Sequence, residues 1–549
     1  MRFVRASVVA LVLLTVSGTF AGTSWTAGAA TQDAPGQVDT TFGNGGKTVV
    51  GARLLGDKDL AAVATDETGA IFMTGTGWET AYVFKVKADG AVDATWGSGG
   101  ALRVPVEGQA AMRGLARRPD DTFVMAGNSY HVIDTGETLT AHTEAAVRRI
   151  TPQGATAAWN GQFIPGDNAP TRAFFPEVVA TRGTTTYIAG NFRPDDGRGG
   201  KDMTPAVIRR VADGSRDSTF GESGVVKLPF NGFIHDLTVQ PDGKVVVAGS
   251  YVSSGRELLM VSRLTFSGAL DTTFSGDGIA FASTGSAVSS ALRDVAIGPN
   301  GRIAGVGWDG ASGPAKGIAV ALLPNGSFDT SFDGNGMAGY ATISDSHGIE
   351  ALGFQADGNL VVGGQYGEFP FVARLTTSGQ LDRSFGTAGV LQNPFNAEGG
   401  VTQLLIQPDG KPVAVGWSSG LDKTLTADPY PTVFRLTEPL PTVGSAPTSM
   451  FESKNLVFPI QLSKPSLEPV TVTATTSNGS AIAGLDYQQT SVTVTIAPGA
   501  TTSSVTVPIF NDSLDEPDEQ LNLTLTSGRG AVVDPAVTGT IVDDDPPPG

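Results

Sequence analysis

Cysteine is absent from all 549 residues, which excludes a disulfide scaffold, a thiol nucleophile and any Cys-ligated metal or cluster. Histidine occurs only four times, at His131, His142, His235 and His347, with no H-E-x-x-H metal motif around them. Basic residues are outnumbered, 36 Lys and Arg against 54 Asp and Glu; the net charge of −18 disfavours nucleic acid or anionic lipid as a partner. Long apolar runs are also missing beyond the N-terminus, so no transmembrane anchor is expected. What is plentiful is glycine, 72 residues, within a β-branched background, a composition of short strands and tight turns. The length exceeds one comfortable core and predicts at least two domains.

The N-terminus reads as an export signal. Arg2 and Arg5 precede the apolar run Val8 to Val16, and Ala27-Gly28-Ala29 supplies small residues for cleavage. Residues 1–29 are therefore expected to be a signal peptide and the mature protein to be secreted and extracellular.

A signature then recurs. Asp39-Thr-Thr-Phe42, Asp93-Ala-Thr-Trp96, Asp217-Ser-Thr-Phe220, Asp271-Thr-Thr-Phe274, Asp329-Thr-Ser-Phe332 and Asp382-Arg-Ser-Phe385 share one pattern, and a worn copy ends at Trp159. Each interval carries the same grammar. In the fourth, Gly224 to Leu228, Asp236 to Gln240, Lys244 to Gly249 and Leu259 to Leu264 read as four strands, with a turn at Asp242-Gly243. Four antiparallel strands per repeat make a propeller blade, and the intervals predict seven. The repeated Asp reads as a turn staple and the aromatic as a wedge between blades, because an active site is normally built once. The segment around Lys47 to Val50 is expected to complete the last blade.

The D-x-[ST]-[FW]-G signature following P-D-G-K-x-x-V-A-G and x-x-R-L elements resembles the delta-60 repeat family of secreted bacterial propellers over residues 36–438. That resemblance implies a fold and a bacterial setting, without an established activity.

Aligned on the P-D-G turn, the second strand of each repeat offers two variable columns. One reads Ala61, Arg113, Pro176, His235, Arg293, Glu350, Thr402; the next reads Ala62, Gly114, Glu177, Asp236, Asp294, Ala351, Gln403. One of them is expected to line the mouth of the central channel, giving Arg113, His235, Arg293, Glu350, Glu177, Asp236 and Asp294 as candidate ligand-binding residues. Long insertions at Asn128–Glu144, Asn191–Pro205 and Trp417–Pro431 are expected to be loops on one face, where Tyr130, His131, His142, Phe192, Trp417 and Tyr430 would form an aromatic surface.

From Pro441 the period stops. Residues 439–446 read as a linker, and residues 447–545 as an Ig-like β-sandwich, from alternation such as Val470-Thr-Val-Thr-Ala-Thr and Leu521-Asn-Leu-Thr-Leu. Acidic residues crowd its loops, at 511–519 and 543–545. Ala483-Gly-Leu-Asp486-Tyr487, the N-D-x-x-x-E-x-x-E run and the terminal Val542-Asp-Asp-Asp resemble a Calx-β domain. By that resemblance Glu452, Asp486, Asp512, Glu516, Glu519, Asp543, Asp544 and Asp545 would ligate Ca²⁺, and Asn511 stands where the family often has Asp.

The expectation is an all-β chain, a seven-bladed β-propeller with a C-terminal sandwich, acting as a non-catalytic binding or cell-surface interaction protein toward an extracellular protein or glycan. Two alternatives remain. One is an extracellular polysaccharide-acting hydrolase or lyase with channel-mouth carboxylates; the other is a structural envelope component.

Overall fold

The computed structural model describes residues 34–546, apart from 51–59, 78–79, 107–108, 135–138, 152–155, 159–173, 194–202, 284–288, 311–315, 341–347, 420–429, 439–440, 467–468, 529–530 and 533–535. The signal peptide, the worn signature at Trp159 and His347 lie outside the described residues. The chain is all-β, and no helix among the described residues is long and apolar enough to cross a membrane.

Seven four-stranded antiparallel units precede the sandwich, the fourth and fifth joined by a parallel bridge between Glu257 and Ser289. The fourth unit runs Gly232–Val239, Val245–Ser253, Arg256–Leu264, Ile279–Ala282 from inside outward. The strand Val225–Lys227, expected to open this unit, pairs instead with Thr204–Arg210 and is the outer strand of the third. Each innermost strand packs on the next, and Leu60–Thr65 packs on Glu398–Ile406 to complete the circle. Valine and isoleucine on these strands face the neighbouring unit. The core is accordingly divided into slabs between units, such as Val246, Val261, Phe274, Leu292 and Val320 between the fourth and fifth.

The circle is closed by both ends of the chain. Lys47–Val49 is the outer strand of the seventh unit, paired with Tyr430–Arg435, and Gly36 N–H donates to the Thr437 carbonyl at 2.9 Å.

The signature has a consistent geometry. The Asp271 carboxylate accepts from the Thr273 N–H and hydroxyl, tying the turn, and from Arg263 Nε at 2.8 Å. Arg263 lies 4.7 Å from the Phe274 ring centroid and donates to the Pro324 carbonyl of the next unit at 2.5 Å. Phe274 in turn faces Gly326, where an added Cβ would stand 2.7 Å from the ring. Arg209, Arg374 and Arg435 repeat the arrangement with Asp217, Asp382 and Asp39. In the fifth unit the turn residue Arg302 serves Asp329.

The sandwich places Thr448–Phe451, Ala536–Val542, Glu519–Ser527, Val470–Asn478 and Ser491–Ile496 in one sheet. The other holds Thr502–Val507, Leu456–Leu462, Thr442–Ser445 and Ala531–Val532. Alternate residues such as Leu456, Phe458, Ile460, Val470, Val472, Leu521, Leu523 and Leu525 fill the space between. Thr442–Ser445, expected in a linker, is thus a strand of the sandwich. Glu438 fastens this domain to the propeller, accepting from Arg374 at 2.8 Å and from Lys464.

Candidate functional site

Two groups of residues converge in ways that the fold does not need. The first lies at the far end of the sandwich. Leaving the strand Thr448–Phe451, the chain turns through Glu452, while Ala536–Val542 ends beside it and delivers Asp543 to Asp545. Parallel pairing of these two strands brings carboxylates 91 and 93 positions away onto Glu452. One oxygen each of Glu452, Asp543 and Asp545 lie within 4.8 Å of one another.

Glu452 is 7% exposed, and its Oε1 and the Asp545 Oδ2 are buried without a hydrogen-bond partner. Burial, then the Asp545, Asp543 and Asp512 carboxylates, push the Glu452 carboxyl up to about 7. A second group sits nearby in sequence order. Burial, then Asp486 and Glu516, push Glu519 up to about 7. Asp486 also accepts from the Ile482 N–H at 2.6 Å, holding its own loop. Asp544 accepts from the hydroxyl of Ser453, the neighbour of Glu452, at 2.7 Å. The eight residues expected around calcium therefore divide into a Glu452–Asp543–Asp545 group with Asp512 close enough to act on it, an Asp486–Glu516–Glu519 group, and Asp544. The sequence did not show this division, because it depends on which strand ends pair.

Orphaned buried carboxylate oxygens facing one another fit a hard divalent cation, which takes oxygen ligands and cancels such repulsion. Glu452, Asp543 and Asp545 would hold it.

The second group is in the propeller. Every innermost strand carries a β-bulge, between Met112 and Gly114, Pro176 and Val178, Ile234 and Asp236, Leu292 and Asp294, Ile349 and Ala351, Val401 and Gln403. The first unit has its irregularity between Leu60 and Val63. The extra residues are Arg113, Glu177, His235, Arg293, Glu350 and Thr402. Glu177, not Pro176, therefore occupies this column; the third unit turns at Arg182-Gly183 without a P-D-G motif, so the sequence alignment slipped by one.

Arg113 pairs with Glu177 at 3.2 Å, and Arg293 approaches Glu350 at 4.0 Å. Burial raises the Glu177 carboxyl despite Arg113 and Arg293, while burial, Arg293 and Arg113 depress His235 to about 3, so its imidazole is neutral.

Asp236 and Asp294, from the neighbouring column, have a different task. Asp236 accepts from the Val295 N–H at 2.9 Å and Asp294 from the Leu352 N–H at 2.7 Å, each reaching the next unit's inner strand. Burial raises both carboxyls, Asp236 well above its ordinary value beside Asp294. Each carboxylate thus ties its own unit to the next.

Two residues of the expected aromatic face are turned into the core instead. Phe192 is buried against Phe174, with centroids 4.9 Å apart, and Trp417 is partly buried in the slab between seventh and first units. Asn128–Glu144, expected as a loop, continues the strands Phe123–Asp134 and Leu139–Ile150 as a long ribbon that pairs Tyr130 with Thr143 and His131 with His142. Residues 416–420 carry a Gly-x-Ser-x-Gly spacing, but Ser418 is buried within a strand and shares a hydrogen bond with Thr432 at 2.6 Å. It has none of the exposure that a strand-to-helix nucleophile turn requires.

Comparison with known proteins agrees with this division. Residues 445–546 match the Calx-beta domain, and residues 240–274 and 355–385 match a domain of unknown function (DUF5122) beta-propeller. The chain thus carries delta-60-type propeller repeats and a C-terminal Calx-beta domain. No protein of curated function matches it. Among solved structures, an apo-form Calx CBD1 domain is 19% identical, covering 19% of this chain and 98% of its own, with a TM-score of 0.18. The polysaccharide lyase Uly1 is 11% identical over 72% of this chain and 92% of its own, with a TM-score of 0.39. Prolyl oligopeptidase B from Galerina marginata is 11% identical over 71% and 49%, with a TM-score of 0.34. Scores this low carry no argument about activity.

Proposed function

We propose that the chain is a secreted bacterial recognition protein, a non-catalytic seven-bladed propeller coupled to a calcium-binding sandwich. The observation that supports calcium is the buried Glu452 carboxylate, whose Oε1 has no hydrogen-bond partner and which lies with Asp543 and Asp545, with no Lys or Arg paired to it among the described residues. Bound calcium would supply the positive charge that lets these carboxylates stand together. The chain's own part is to fix Glu452 at the end of one strand and Asp543 and Asp545 at the end of its parallel neighbour, so that pairing presets the ligands. The hydrolase or lyase alternative is weakened, because Asp236 and Asp294 hold backbone N–H groups of adjoining units.

Calorimetric titration of Ca²⁺ into chelator-treated mature protein tests the reading. Saturable heat is expected in the parent and in Asp544→Ala, and none in Asp543→Ala/Asp545→Ala. Flat traces in the parent would remove calcium from the proposal.

A further inference from the structure

Regular strands need no bulge, yet all seven inner strands have an irregularity at the same place, and six insert a polar or charged residue there. A bulge leaves its extra residue outside the ladder and re-aims the side chain. In a closed circle of inner strands, side chains re-aimed at one level converge on the axis. The Arg113–Glu177 contact joins adjacent units in this way, and the fields of both Arg113 and Arg293 reach Glu177 and His235 from different units.

The order around the circle is informative. From the second unit to the seventh it runs Arg113, Glu177, His235, Arg293, Glu350, Thr402: a cation and an anion, a neutral imidazole, a cation and an anion, a hydroxyl. Two positive and two negative groups sum to zero. A ligand of either sign would gain from one pair member and lose to the other. Much of the hydrogen-bonding capacity is also unused: Arg293 Nε has no hydrogen bond, and no hydrogen bond engages the His235 ring, which only stacks on Phe233 at 6.1 Å.

From this arrangement we infer that the channel binds a neutral, polyhydroxylated ligand, a hexose unit of a glycan. A guanidinium beside a carboxylate offers adjacent donors and acceptors, and a vicinal pair of hydroxyls can meet both at once, each hydroxyl accepting from Arg and donating to Glu. Two such pairs, with imidazole and hydroxyl between them, supply the few convergent polar groups that orient a small ligand. The inference stands apart from calcium at the sandwich.

Saturation-transfer NMR on the mature full chain, in chelator, with D-glucose, D-galactose and D-mannose is the test, with D-glucuronate and D-glucosamine as charged comparators. At least one neutral hexose should show saturable transfer and bind about tenfold more weakly to Arg293→Gln and to Arg113→Gln, as expected for losing a charged hydrogen bond. Thr402→Val, which removes one hydroxyl at nearly constant volume, should weaken binding as well and covers the case in which an Arg variant fails to fold. Absence of saturable transfer from all three neutral sugars would overturn the inference. So would tighter binding of either charged sugar, or undiminished binding in the folded variants.

Discussion

Arg263 donates to Asp271 at 2.8 Å while almost wholly buried, and the pair sits where one propeller unit meets the next. The ion pair is therefore part of the joint between units, and its loss should be felt well beyond one turn. Asp271→Ala leaves a buried guanidinium unpaired and should destabilise the protein by about 3 kcal/mol. Asp242→Ala, which removes an exposed partner 3.8 Å from Lys244, should change stability by less than about 0.5 kcal/mol. Urea unfolding of both variants checks the contrast; equal effects would reduce the signature Asp to a local turn former.

The same carboxylates set an acid limit. Burial alone would raise Asp39, but Lys411, Thr41 and Arg435 outweigh it and bring it down to about 2; at Asp93 the Thr95 hydrogen bond and Lys85 prevail over burial with the same result. A carboxyl lowered in the folded state contributes stability above its unfolded value near 4, and that contribution disappears as pH falls through 2. For Asp39 it amounts to about 2 kcal/mol at neutral pH. Acid unfolding should therefore steepen between pH 4 and 2, and Asp39→Asn should flatten that slope while lowering stability at pH 7.

Glycine 326 and Phe274 provide a packing test. Gly326 has φ +84°, and a Cβ there would meet the Phe274 ring at 2.7 Å. Gly326→Ala should cost about 1–3 kcal/mol from overpacking and backbone strain together. Phe274→Ala should cost about 3–5 kcal/mol as a core truncation. In the double variant the clash is gone, so the summed losses should exceed the measured one. Strict additivity in thermal melts would argue against a wedge.

Calcium should stabilise the sandwich. At saturating Ca²⁺ a higher melting temperature is expected for the parent than in chelator. Glu452→Gln should be at least as stable as the parent in chelator, since a buried repelling carboxylate has gone, yet respond less to calcium. Scanning calorimetry in both conditions separates these effects; a variant with an undiminished calcium response would place the ion elsewhere.

The all-β class was open to reading because the signature repeats its chemistry as well as its spacing: Asp271, Thr273, Phe274 and Arg263 each do in space what their residue types suggest. The bulges were hidden. A bulge is a mismatch between two strands, and nothing within Pro176-Glu177-Val178 alone states which residue its partner strand will skip. Phe192 and Trp417 misled for a related reason, since an aromatic beside an insertion looks solvent-facing until its neighbouring unit is placed. In the sandwich the acidic residues were visible as a set, but only the parallel pairing of Thr448–Phe451 with Ala536–Val542 decides which of them stand around Glu452.

The clasp at Lys47–Val49 also orders events during biosynthesis. These three residues are among the first of the propeller to leave the ribosome, and their partner strand Tyr430–Arg435 is among the last. Until then the seventh unit lacks its edge and the first unit lacks a neighbour on one side, so the circle cannot close while the chain is being made. A nascent chain of this design stays open until its seventh unit has been made. Truncation before Tyr430 would leave an unclosed array with bare strand edges at both ends, a state prone to association.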